Sequence, residues 1–189
     1  DENIFKVKTL QSSKNELTFL IIGHPYGNYD HANKNNRQIH PKVINHIKTN
    51  LDKELADKIV LLGDLVEKIS FGNIKGALHQ IHSITEDPII VLGNHDAGDH
   101  DLNPAAYFLL WSKRKSSFYL LEWGETAIFI LNSTKDVHDI DIMQEKFIRK
   151  IMGTKQFKTY VFLTHHVLWV IDTSHDNIVN NGSMFSKKN

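Results

Sequence analysis

Four short apolar runs, each closed by glycine or threonine, frame the chain: Leu17–Ile22 before Gly23, Lys58–Leu62 before Gly63, Ile89–Leu92 before Gly93 and Tyr160–Leu163 before Thr164. Continuous rather than alternating runs of this length predict strands covered on both faces. Between the first two, Pro41 opens a segment in which Val43, Ile47 and Leu51 recur at four-residue spacing beside Ile44, the pattern of a crossover helix. Ile74, Leu78, Ile81 and Thr85 form a similar stripe between the second and third runs. Strand, helix, strand, helix, strand predicts a parallel sheet with right-handed crossovers.

The pattern changes in the second half. Asn103-Pro104 reads as a helix start leading into Ala105–Trp111. Ser117–Leu121 and Thr126–Leu131 flank Glu122-Trp-Gly-Glu125, where Gly124 marks a hairpin turn. A helix with Met143, Phe147 and Ile151 on one face is expected to end at Gly153. Antiparallel strands added to a parallel core give a mixed α/β architecture, a single domain over residues 1–171. The Asn-rich segment Asp172–Asn189 reads as a loosely ordered tail. No repeat, low-complexity tract or linker interrupts the chain.

Composition narrows the chemistry. A chain of 189 residues with 41% hydrophobic content can bury one sizeable core. Its 22 basic and 22 acidic residues balance, so no overall field favours nucleic acid or an anionic membrane. There is no cysteine, which leaves imidazole, carboxylate, amide and water oxygen as metal ligands. No apolar stretch approaches the roughly 20 residues of a membrane span, and Asp1–Leu10 lacks the apolar run of a signal peptide. The expectation is a soluble chain, cytoplasmic by default and exported if a leader was removed before Asp1.

Each of the four apolar runs is followed at once by polar groups: Gly23-His24-Pro25-Tyr26-Gly27, Gly63-Asp64, Gly93-Asn94-His95-Asp96 and Thr164-His165-His166. Ligands of open α/β sheets bind beyond the carboxyl ends of the strands, so these segments predict one shared edge. Singly, each motif also fits a turn, a helix cap or a surface pair. Together they occupy the same position relative to their strands. Asp64 has two oxygens with which to bridge cations, Asn94 a neutral carbonyl oxygen and His165 an imidazole nitrogen, a set suited to Mn, Fe or Zn. His95, next to Asn94, would lie near a bound phosphate, with Asp96 placed to hold its tautomer for general-acid work. His79 and His82 are expected to be a surface pair, His100 a solvated loop residue, and Trp111, Trp123 and Trp169 packing residues.

Gly63-Asp64, Gly93-Asn94-His95-Asp96 and the strand-borne His165-His166 resemble the calcineurin-like metallophosphoesterase superfamily, which includes purple acid phosphatases. The resemblance covers roughly Leu17 to Ile171 and extends to the hairpin ending Ile-Phe-Ile-Leu-Asn-Ser-Thr134. It implies a four-layer α/β/β/α sandwich with mixed sheets, a centre of one or two divalent ions, and hydrolysis of phosphate monoesters or diesters by metal-bound hydroxide. By the same resemblance Asp64 is the bridging carboxylate, Asn94 and His165 are ligands of one metal, His95 assists the leaving group and Asp96 orients His95. The phosphorylated substrate is left open.

Two departures qualify the resemblance. The family opens with Asp-any-His, and aligning on the trailing glycine puts His24 at the aspartate and Tyr26 at the histidine. Either could ligate, with His24 the expected metal residue, at the loss of one negative charge, and Asp30 is close enough in sequence to compensate. The family's closing Gly-His-any-His has no match after His166; His175 in Ser174-His175-Asp176 lacks its strand and glycine. A fragment of a longer chain would explain this, as would a non-catalytic or single-metal binding module that keeps the fold. A nucleotide-binding domain fits poorly, since no Gly-rich phosphate loop follows the first strand.

Overall fold

A computed structural model of the chain describes residues 7–9, 16–26, 38–97, 109, 116–134 and 140–166. Among them run β1 (Val7–Thr9), β2 (Phe19–Ile22), α1 (Pro41–Asp52), β3 (Lys58–Leu62), α2 (Phe71–His82), β4 (Ile89–Val91) and the single turn α3 (Asn94–Ala97). They continue with β5 (Tyr119–Trp123), β6 (Thr126–Ile130), α4 (Ile142–Thr154) and β7 (Thr159–Leu163). The architecture is mixed α/β with two small sheets.

One sheet is parallel throughout, in the order β2-β3-β4, with Ile22 opposite Leu61 and Leu62 opposite Val91. Its helices start where local chemistry starts them. Pro41 occupies the first turn of α1, where a missing N–H costs nothing, and His40 Nδ1 accepts from Lys42 N–H. Ser70 Oγ accepts from Asn73 N–H to cap α2. The stripes expected of both helices are the faces they bury: Ile47 with Val43, Ile44 and Leu51 from α1, and Ile74, Ala77, Leu78 and Ile81 from α2. Thr85, placed on the second stripe from its spacing, lies past the end of α2.

The period of two along each strand then divides its side chains between two apolar clusters. Ile59, Leu61 and Ile90 face α1 and α2, while Val60, Ile89 and Val91 meet Leu121, Ile128 and Ile130 of the other sheet. A third cluster packs Leu120, Ala127 and Phe129 of that second sheet against Phe147, Ile148 and Ile151 of α4. Burying one such side chain completely stabilises the fold by about 1.5–3 kcal/mol.

The second sheet has the order β1-β5-β6-β7. The expected hairpin is present, β5 antiparallel to β6 with Gly124 in left-handed backbone at φ +53°, but it does not extend the parallel core. It pairs with β7, which runs parallel to β6, and β1 joins parallel to β5. β7 therefore belongs with the hairpin rather than with β2, β3 and β4. Its residues are only half-buried or exposed, unlike those of β3 and β4.

Helix α4 also departs from its expected pattern. It runs through Gly153 to Thr154, capped by Lys155, and its first turn is fixed by Asp141, which accepts from Met143 N–H and Gln144 N–H. Met143 is exposed and Gln144 is buried in its stead. The physical reason is the backbone that leaves β6: Gln144 Oε1 accepts from Asn132 N–H at 2.8 Å and Gln144 Nε2 donates to Asn132 O at 2.7 Å. Buried main-chain groups need such partners.

The helix read from Asn103-Pro104 into Ala105–Trp111 (all but Leu109), the boundary at residue 171 and the tail 172–189 lie outside the described residues. Among those described, no helix is long and apolar enough to cross a membrane.

Candidate metal centre

The carboxyl ends of strands from both sheets converge. A side chain on Gly63, after β3, would meet His165 Nδ1 at 2.6 Å and the Gly93 backbone at 2.7 Å, and one on Gly93 would overlap the main chain and carboxylate of Asp64. Glycine is thus required at both positions for β3, β4 and β7 to approach. Gly63 and Asp64 are consecutive left-handed residues, at φ +79° and +55°. His24, just after β2, is left-handed as well, at φ +47°. A non-glycine residue held there is uncommon and costs of order 1–3 kcal/mol, so two of them facing each other mark a site that the surrounding fold enforces.

His24, Asp64, Asn94 and His165 are brought together as the motifs predict. His24 Nδ1 lies 3.0 Å from Asp64 Oδ2, and His165 Nε2 lies 3.4 Å from Asp64 Oδ1. Asn94 Oδ1 is 3.1 Å from His165 Nε2. Asp64 and His165 are buried and the His24 side chain is 58% exposed, so the edge is open on the His24 side. His95 N–H donates to Asp64 Oδ1 at 3.1 Å.

The hydrogen bonds at this point leave a ring nitrogen free for a cation. His165 Nδ1 is 2.6 Å from the carbonyl oxygen of Leu62, which can only accept, so Nδ1 carries the proton and Nε2 faces the centre. Nε2 there confronts two oxygens, those of Asp64 and Asn94. A cation shared among them would take the Nε2 lone pair and both oxygens as ligands. His24, Asp64 and His165 each offer a ligand atom within 4.8 Å of the others, and nitrogen and oxygen donors of this kind suit a divalent transition ion.

His95 and Asp96 are where the motif puts them but are not partners. His95 Nδ1 donates to the carbonyl oxygen of Glu67 at 2.5 Å. The Asp96 carboxylate instead accepts three backbone N–H bonds, from Leu65 at 2.7 Å, Val66 at 3.2 Å and Gly93 at 3.1 Å. The expectation that Asp96 orients His95 is corrected accordingly: its oxygens tie the loop after β3 to the turn after β4. Complete burial, and behind it the charge of Asp64, push the Asp96 carboxyl up to about 8, against the pull of those N–H groups.

Tyr26 lies with its ring 5.5 Å from that of His95 and 6.2 Å from that of His24. Burial, then the negative charges of Asp64, Glu67 and Asp96, raise its phenol pKa and keep it a proton donor. His166 and Ser133 complete the surroundings: His166 Nε2 is 3.2 Å from Asn94 Oδ1, and His166 Nδ1 is 3.0 Å from Ser133 Oγ. The signal for Ser133 in the sequence is its place in Asn132-Ser133-Thr134, a polar segment directly after a strand. His79 and His82 are exposed on α2 and Trp123 packs between the sheets, both as expected. Asp30, His100, Trp111, Trp169 and His175 lie outside the described residues.

Neither a protein-family model nor a curated protein matches this chain.

Proposed function

We propose that the chain is a phosphoester hydrolase of the calcineurin-like class, with a divalent cation (Mn, Fe or Zn) held by Asp64, Asn94 and His165 and bordered by His24. The observation that carries this reading is the meeting of nitrogen and oxygen atoms from four segments with His165 Nδ1 already committed to Leu62. The succession of apolar clusters, from α1 and α2 through both sheets to α4, supports the α/β/β/α sandwich of that class.

A divalent cation bound there would polarise a phosphoryl oxygen and acidify water. The residues around it divide the remaining tasks. Asp64 supplies the negative charge that attracts the cation, and its buried position keeps that charge poorly screened. His95, with Nδ1–H fixed on the Glu67 carbonyl, acts as general acid in its doubly protonated form, giving the second proton from Nε2 to the leaving oxygen and returning to the neutral ring. The Tyr26 phenol is a hydrogen-bond donor for a phosphoryl oxygen on the same side.

A second reading, a single-cation or non-catalytic binding module, is favoured by one feature. Among the described residues, His24, Asp64 and His165 make one compact group, and His24 replaces an anion with a neutral imidazole. The two readings separate on protein reconstituted with Mn²⁺ and offered activated phosphate monoesters and diesters. Metal-stimulated cleavage supports the hydrolase. Bound metal without cleavage of any ester leaves the binding module.

A further inference from the structure

We infer that Gln80 of α2, with Gly76 one turn before it, is a positioning residue for the turn that carries His24 and Tyr26; its effect on substrate, though not the geometry, rests on the hydrolase reading above. The turn does not hold itself. His24 stands in left-handed backbone at φ +47° although a proline follows it, and proline biases the residue before it toward extended backbone. Pro25 is buried and Tyr26 half-buried. Among the described residues, one backbone hydrogen bond ties this turn to the chain beyond β2, from His40 N–H to the Pro25 carbonyl oxygen at 2.9 Å.

Residues 38–40 therefore anchor the turn, and α2 fixes the anchor. Gly76 and Gln80, four residues apart, lie on one face of α2. Ile39 N–H donates to Gln80 Oε1 at 3.2 Å, and Ile39 is completely buried. An N–H can only donate, so the Gln80 amide presents its oxygen there. A Cβ on Gly76 would overlap the side-chain amide of Gln38. Glycine inside a helix weakens it relative to alanine, so glycine in the middle of α2 is accounted for by the passage of Gln38 and not by the needs of the helix.

The route from Gln80 through Ile39, His40 and Pro25 is separate from the bonds that hold the other site residues. His95 is fixed by Asp64 and the Glu67 carbonyl, and His165 by the Leu62 carbonyl. Loosening the route therefore shifts His24 and Tyr26 and leaves Asp64, Asn94, His95 and His165 in place. Tyr26 is the sensitive member. Its ring lies 5.5 Å from that of His95 with the planes 36° apart, and no covalent link shorter than the whole β2–β4 span joins the two. A displaced Tyr26 takes its phenol away from the phosphoryl group while the general acid and the cation ligands stay, so the loss falls on substrate binding and not on turnover.

The test compares the wild type with Gln80→Leu, Gln80→Glu and Gly76→Ala. In metal-free protein, NMR cross-peaks between the ring protons of Tyr26 and His95 should be present in the wild type, lost in Gln80→Leu and restored in Gln80→Glu, whose carboxylate still accepts from Ile39 N–H. A side chain that only fills space would show no such rescue. Gly76→Ala should weaken the same cross-peaks without loss of helix, and it decides the matter if Gln80→Leu does not fold. In Mn²⁺-loaded protein, Gln80→Leu should raise KM for the activated ester and the inhibition constant of inorganic phosphate about tenfold, roughly the worth of one hydrogen bond to a charged group, with kcat near that of the wild type. Added to Tyr26→Phe, it should cost nothing further, since both remove the same contact. Cross-peaks absent from the wild type or unchanged in Gln80→Leu, no rescue by glutamate, or full additivity with Tyr26→Phe overturns the role of Gln80. A wild type that neither binds phosphate nor cleaves the ester removes the hydrolase reading, and the cross-peaks still decide the positioning.

Discussion

In the half of the molecule built on β2, β3 and β4, site side chains stand two to four residues beyond the strand ends and are aimed by the main chain. Left-handed backbone at His24, Gly63 and Asp64, the mutual approach of Gly63 and Gly93, and the Asp96 carboxylate on three N–H groups fix them. In the half built on β5, β6 and β7, the contributed groups are held by partners distant in sequence: the Gln144 side chain holds the Asn132 main chain, Ser133 holds His166, and His165 is steadied by a carbonyl from the opposite sheet. The first half is therefore intolerant of altered backbone geometry, and the second of lost hydrogen-bond partners.

Asp64 is the residue at which both halves meet, so Asp64→Asn carries the largest expected effect. The amide keeps the volume and loses the charge, and metal-stimulated hydrolysis should disappear while the thermal melt stays near that of the wild type. Near-normal turnover would remove Asp64 from the centre. His95→Ala comes next, lowering kcat ~10²–10⁴-fold on alkyl phosphates, the usual worth of general acid catalysis, with metal content retained. The loss should shrink on p-nitrophenyl phosphate, whose leaving group needs no proton. An equal loss on both esters makes His95 a phosphate-binding group instead.

Two stability predictions set the halves against each other. Asp96→Ala leaves three buried backbone donors without their acceptor, at about 1–3 kcal/mol each, so urea unfolding should show a loss of several kcal/mol. A loss below about 1 kcal/mol, the worth of one ordinary hydrogen bond, would mean that water or rearrangement replaces the carboxylate. Gln144→Leu strands the N–H and C=O of Asn132, two groups rather than three, and should cost less than Asp96→Ala. If Gln144→Leu proves the costlier, the second half, and not the glycine turns of the first, is the better-braced side of the site.

The contrast also accounts for what the sequence discloses. Main-chain aiming leaves a local signature: Gly63-Asp64 and Gly93-Asn94-His95 announce strand-end turns, and α1 and α2 show their buried stripes through Pro41, Val43, Ile47, Ile74, Leu78 and Ile81. Side-chain aiming leaves little. Ser133 and His166 are far apart in sequence, and nothing near Gln144 indicates that it turns inward while Met143 turns out. β7, like β3, is one polar residue followed by four continuous apolar ones, so its membership of the other sheet is not written in its own composition. β1, three residues long, is defined by its pairing with β5. Asp96 differs from its expected role for a related reason: adjacency to His95 suggests a partner, whereas a helical turn sends consecutive side chains in different directions.

Both halves converge on one claim, that Asp64, Asn94 and His165 share a cation beside His24. Anomalous diffraction from a crystal soaked in Mn²⁺ tests it most directly. A peak is expected in contact with Asp64, Asn94 and His165, stronger than any on the His24 side, with the Asn94 oxygen turned inward. No peak, with Asp64 still bonded to His24 and the Asn94 NH₂ group donating to both imidazoles, would contradict it.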